Sequence, residues 1–236
     1  MKKLAVFSFL LLLGVSTCLG GNAWEELSNE DGIKVWRRDV DGSPVVAFKG
    51  ETVINAPLAK VANVLDDTSR KGEWVANLLE SKDLTIFSPT DRIEYNRTEA
   101  PWPIKDRDFV FRATVQVDKS SKTITIQIKS TTHASKPVDE DKAVRGELLE
   151  SSYVLASLGE NRTRVTVEMQ VDPKGSVPKW VVNWAQKGWP RKTLEGIRGQ
   201  CAKADVKELA IVKEWLAADE QKLVAVAAIS SRTKKN

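Results

Sequence analysis

The sequence predicts an α+β fold in which a curved antiparallel sheet wraps around a long C-terminal helix. Three observations predict it. Between Ile33 and Val171 apolar residues alternate with polar ones, and turn residues punctuate the runs, the mark of antiparallel strands with one buried side. From Ser176 onward the apolar spacing becomes that of an amphipathic helix. Midway, Pro101-Trp102-Pro103-Ile104-Lys105-Asp106-Arg107-Asp108 forms a stiff connector, because each proline fixes its own φ and pushes Ala100 and Trp102 toward extended conformations.

The first 23 residues stand apart. Lys2-Lys3 is a positive n-region, Leu4 to Val15 an apolar h-region, and Gly21-Asn22-Ala23 offers small residues before a cut, so residues 1–23 read as a signal peptide and the mature chain starts at Trp24. Export follows, to a periplasm or the exterior. Val15-Ser16-Thr17-Cys18 offers an alternative, a lipoprotein anchor through Cys18, although Thr17 stands where that pattern wants Gly, Ala or Ser. Cleavage after Ala23 leaves Cys201 as the one cysteine and no internal disulfide. With 42% hydrophobic residues in 236, the core suffices for one domain. Losing Lys2 and Lys3 takes the 36 basic residues to 34 against 32 acidic ones, a net charge of +2, too balanced for a nucleic-acid partner.

Trp24 to Leu27 reads as a short helical lead-in, and Asp31-Gly32 as a turn before the strand Ile33 to Arg38. Asp41-Gly42-Ser43-Pro44 turns into a second strand, Val45 to Ile54. Pro57 then starts a helix with Leu58, Val61 and Leu65 at helical spacing, ending near Asp66-Asp67. Leu84 to Phe87 and Arg92 to Glu99 are the next strands. In the second, Ile93, Tyr95 and Arg97 share a face, which makes Arg97 a candidate inward charge; alternatively the strand ends and Arg97 reaches water. After the connector, where one of Asp106 and Asp108 is expected to hold Arg107 as the other caps a turn, Phe109 to Val117 places Phe109, Phe111, Ala113, Val115 and Val117 on one face. Thr123 to Ser130 contributes Ile124, Ile126 and Ile128. Ala143 to Ser157 is a long strand, and Thr163 to Val171 carries Val165, Val167, Met169 and Val171 inward.

Ser176 can cap the following helix, with Pro178 in its first turn and Trp180, Val181, Trp184 and Ala185 on one face. Pro190 kinks or restarts it; Leu194, Ile197 and Cys201 continue the stripe. Hairpin-linked strands followed by such a helix bury both apolar faces only if the sheet curls around the helix, a helix-grip architecture. Beyond, in residues 204–236, Val206, Leu209, Val212 and Leu216 recur at helical spacing, Leu223 to Ile229 is apolar but too short to span a bilayer, and the end is basic.

Two stretches resemble a known family. Pro101-Trp102-Pro103 followed by Asp106-Arg107-Asp108-Phe109-Val110 is similar to the central motif of the START family, the steroidogenic acute regulatory protein-related lipid-transfer domains. Asp172-Pro173-Lys174-Gly175-Ser176-Val177-Pro178-Lys179-Trp180-Val181-Val182-Asn183-Trp184 resembles the family's approach to its C-terminal helix. The resemblance covers residues 24–203 and implies a helix-grip domain with an internal hydrophobic cavity between sheet and helix; residues 204–236 lie beyond it, as a helical tail with no counterpart in the family. It also implies binding and transfer of a lipid or other hydrophobic small molecule, with transient membrane-surface contact and no catalysis.

Catalytic and metal chemistry are missing from the sequence. His133 is the single histidine, no base accompanies a Ser, Thr or Cys nucleophile, and no zinc, calcium or phosphate-loop pattern appears; no cofactor is expected. What remains is an apolar interior whose candidate ligand contacts are Ile93, Tyr95, Arg97, Phe109, Phe111, Ala113, Ile126, Ile128, Val165, Val167, Met169, Trp180, Val181 and Trp184. The alternatives are a helix-grip enzyme of the polyketide cyclase or aromatase type, using Tyr95, Arg97 and Glu99, or a lipid sensor that recruits a protein through its tail.

Overall fold

The computed structural model describes residues 23–216, apart from the side chains of Lys179 and Trp184. The expected leader with Cys18 and the apolar and basic end of the expected tail lie outside the described residues. The chain runs β1 (Glu25–Glu30), β2 (Ile33–Arg38), β3 (Ala47–Ile54), α1 (Leu58–Asp66), a 3-10 turn (Thr68–Glu73), β4 (Leu78–Ser88) and β5 (Asp91–Thr98). It continues through β6 (Arg107–Asp118), β7 (Thr123–Ser130), β8 (Val144–Arg145), β9 (Glu147–Ser157), β10 (Thr163–Asp172), α2 (Lys179–Gln186) and α3 (Trp189–Ala202). The strands form one curved sheet ordered β1-β2-β3-β10-β9-β7-β6-β5-β4, antiparallel throughout except where β8 lies parallel to β6.

Local chemistry explains three departures from the sequence reading. Residues Glu25–Glu30 are a strand, not a helical lead-in, because Asp31 and Gly32 both take positive φ (52° and 70°) and form the kind of two-residue turn whose twist pairs its flanks. Strand β4 begins at Leu78, six residues earlier than expected, because pairing with β5 recruits polar residues whose own propensity is indifferent. The long strand expected from Ala143 breaks at Gly146. A Cβ there would come within 2.3 Å of the Phe109 ring, so only glycine lets the chain leave β6 and join β7.

The C-terminal helix comes as two pieces, with Gly188 at the break and Pro190 in the first turn of α3, where its missing N–H costs nothing. Helix α3 buries Leu194 and Ile197 against β3 and β10, and the approach is close. At Gly50 a Cβ would meet Pro190 Cβ at 2.8 Å and Leu194 Cδ1 at 2.9 Å. Val165 and Val167 belong to this solid half of the interior, together with Leu58, Val61 and Leu65 of α1. Val206 and Val212 join the same core, and the Leu209 N–H donates to the Ala59 carbonyl at 3.0 Å, so the start of the expected tail packs on α1.

Candidate functional site

The other half of the interior is hollow. Where β5, β6 and β7 diverge from α2 and the connector, a cavity of about 500 Å³ opens, within the range of small-molecule sites. Phe109, Phe111, Ala113 and Val115 of β6 line it, as do Ile124, Ile126 and Ile128 of β7, Met169 and Val171 of β10, and Val181, Val182 and Ala185 of α2. Alternation produces each row, since every second side chain of a strand points to one face.

A polar cluster interrupts the apolar lining. Glu94, only 1% exposed, receives the Lys71 ammonium on one carboxylate oxygen and the Arg92 Nε, at 2.7 Å, on the other. Arg92 also donates to Asp66 at 2.8 Å and lies 3.7 Å from Asp83, which accepts from the Thr68 hydroxyl at 3.1 Å. Burial opposes the Glu94 charge, but the adjacent Lys71 and Arg92 outweigh it and hold the carboxyl below its ordinary pKa. Tyr153 lines the cavity too, and burial, then the charge of Glu94, raises its phenol. The buried Trp74 Nε1 has no hydrogen-bond partner among the described residues.

At the other end the wall is made of chain connectors. Pro101 and Ile104 line it from the β5–β6 connector, Pro173 and Val177 from the loop between β10 and α2. Trp102, beside Pro101, and Trp180, beside Val181 at the start of α2, turn outward, 93% and 74% exposed.

Several expected contacts lie elsewhere. Phe109, Phe111, Ala113, Ile126, Ile128, Met169 and Val181 line the cavity, whereas Val165 and Val167 are sealed in the solid core and Trp180 faces outward. The side chain of Trp184 lies outside the described residues. Strand β5 presents the face opposite to the one expected. Its register sets Arg92, Glu94 and Asn96 opposite Ala113, Phe111 and Phe109, and directly paired residues share a face, so Arg92, Glu94, Asn96 and Thr98 look inward. Ile93, Tyr95 and Arg97 look outward. They read as inward because the loop between β7 and β8 covers the outer face there: Lys136 Nζ lies 3.7 Å from the Tyr95 ring centroid and bonds Glu80, and Arg97 pairs with Asp106 at 3.3 Å. Tyr95 is buried beneath that loop, its phenol pushed up to about 12 by burial and by Asp108.

The corner also differs from expectation. Neither neighbouring aspartate holds Arg107: Asp106 takes Arg97, and Asp108 takes Arg145 at 2.8 Å. His133 joins Thr85 across 2.9 Å and Ser135 across 2.8 Å, tying its loop to β4. The cavity cluster of Lys71, Arg92 and Glu94 was missed from sequence. The inward Phe109-Phe111-Ala113 row could have found it, had the register of β5 on β6 been known.

A curled antiparallel sheet, a two-part C-terminal helix and a cavity between them match the START domain family, which fits residues 16–193. The chain belongs to the START domain family. Human START domain-containing protein 10 is 26% identical over 219 residues, 90% of this chain and 74% of that protein. Bovine phosphatidylcholine transfer protein is 25% identical over 185 residues, 78% of this chain and 86% of that protein. The crystal structure of human STARD10 superimposes with a TM-score of 0.70 at 26% identity, covering 77% of this chain and 74% of that one. That of a STAR-related lipid transfer protein from Xanthomonas axonopodis gives 0.69 at 28% identity, covering 76% and 99%. This START domain is thus related to lipid-transfer proteins.

Proposed function

We propose that this START domain takes one lipid into its cavity and carries it between membrane surfaces without chemical change. The carrying observation is the cavity's division: an apolar wall from β6, β7, β10 and α2, and one buried polar pole at Lys71, Arg92 and Glu94. Acyl chains would lie along Phe109, Phe111, Ala113, Ile126, Ile128, Met169 and Val181. Each buried methylene contributes about 0.8 kcal/mol, so about ten of them supply about 8 kcal/mol before the cost of ordering the chain. The polar pole, whose charges are already paired, would meet neutral polar groups of the lipid. Both oxygens of Glu94 are occupied and its carboxyl is held ionised, which supports a binding role over proton donation at neutral pH.

Release needs an opening, and the wall of connectors between Pro101 and Ile104 on one side and Pro173 and Val177 on the other is the part not built from paired strands. Trp102 and Trp180 suit membrane contact there, because indoles favour the boundary between water and lipid. Residues 1–23, read as a signal peptide, support transfer outside the cytoplasm. Native mass spectrometry of the mature protein purified from its own host, followed by solvent extraction, tests the reading. A stoichiometric lipid supports it, and a folded protein that arrives empty and takes up no lipid from vesicles refutes it.

A further inference from the structure

Strand β6 carries one more cation toward the cavity, and the polar pole does not use it. Asp106 and Asp108 turn away to Arg97 and Arg145, while Arg107 between them shares the inward face of Phe109 and Phe111, lines the cavity and is nine-tenths buried. Backbone carbonyls hold each of its three nitrogens: Nε donates to Pro173 at 3.1 Å, Nη2 to Lys174 at 3.2 Å, and Nη1 to Lys105. A guanidinium has five N–H donors, so two remain.

Among the described residues Arg107 makes no ion pair, in contrast to Lys71, Arg92, Arg97, Arg112 and Arg145. Burial lowers its pKa, as it must for a charge taken from water without a counter-ion. Carbonyl dipoles orient the fork but do not neutralise it. Beside it stands Gly175, at a φ of 74°, where a Cβ would come 3.4 Å from Nη2; no side chain covers the fork from that position.

We propose that Arg107 is an anion site inside the cavity, giving the protein a preference for lipids of net negative charge, through a phosphate or carboxylate oxygen, over zwitterionic ones. This rests on the lipid-binding reading above. A planar fork in a water-poor site is matched to two oxygens of one anion, and the anion supplies the countercharge that the protein omits. A zwitterionic headgroup brings its own cation and leaves the site with no net neutralisation.

Uptake from phosphatidylcholine vesicles containing labelled phosphatidic acid, labelled oleate or labelled phosphatidylcholine at equal mole fraction is the test. The wild-type protein is expected to take phosphatidic acid or oleate about tenfold over phosphatidylcholine, the better of the two telling phosphate from carboxylate. Arg107→Gln should abolish that preference and leave phosphatidylcholine uptake within about twofold. Arg107→Lys, which keeps the charge and loses the fork, should retain part of it, and carries the comparison if Arg107→Gln does not fold. Equal uptake of charged and zwitterionic lipids by the wild type overturns the proposal, as does a parallel fall of both in the variants, which would make Arg107 a clamp for the loop before α2. Failure to take up any lipid overturns the transfer function itself.

Discussion

Replacing Glu94 by Gln keeps the side-chain volume and an oxygen acceptor but deletes the carboxylate charge that Lys71 and Arg92 share. Arg92 would keep Asp66 at 2.8 Å and Asp83 at 3.7 Å, whereas Lys71 would keep no carboxylate partner among the described residues, its other neighbour being the Phe111 ring with its centroid 5.9 Å away. Removing one partner of a buried pair costs about 3 kcal/mol at the lower end of measured cases, because the other charge stays buried alone. For a chain of this length the thermal midpoint should fall by about 6–12 °C. Urea unfolding followed by tryptophan fluorescence at pH 7 measures the difference. The sign with pH follows from the lowered carboxyl. Its stabilisation is complete above the unfolded value of 4.5 and is lost as pH falls through the lower folded value, so the deficit of Glu94→Gln should narrow in acid. Replacing both partners, Lys71→Met with Glu94→Leu, should restore stability to within about 1 kcal/mol, since apolar groups of similar volume incur no desolvation. A Glu94→Gln protein within about 0.5 kcal/mol of wild type at pH 7, or a deficit that does not change with pH, would refute the reasoning.

Three further outcomes are expected. Gly50→Ala should cost about 1–3 kcal/mol by urea unfolding, because the added carbon meets the rigid Pro190 ring at 2.8 Å; an unchanged midpoint would mean α3 is not seated on β3. Trp102→Ala together with Trp180→Ala should leave unfolding within about 0.5 kcal/mol while lowering vesicle cosedimentation several-fold, and unchanged cosedimentation would remove the membrane role given to them. Burial raises the Cys201 thiol from 9.0 to about 11, so it should react with Ellman's reagent at pH 8 roughly 100-fold more slowly than a free thiol, and at the free rate in urea.

What was legible in the sequence was everything carried by a period. The rows Phe109-Phe111-Ala113 and Ile124-Ile126-Ile128 alternate cleanly because one side faces apolar interior and the other water, and the structure puts both on the cavity. Proline and glycine gave the breaks, at Pro101 and Pro103 before β6 and at Pro190 in α3. Strand β5 defeated the same reasoning. Its inner face carries Arg92, Glu94 and Asn96, and its outer face carries a tyrosine roofed by a loop, so both faces are half polar and half apolar. Likewise Trp180 read as a packing residue because helical spacing marks a face without saying what the face meets.

The sequence by itself determined the fold class, the connector and the family, because these rest on local φ preferences, short periodicities and two motifs. Tertiary structure alone decided which charges enter the cavity. Glu94 finds Lys71 across 23 positions of chain, and Arg107 finds the carbonyls of Pro173 and Lys174 across 66 and 67. The physical reason is that a buried charge is stable only through partners brought to it by strand register and loop packing, and neither leaves a local trace in the order of residues.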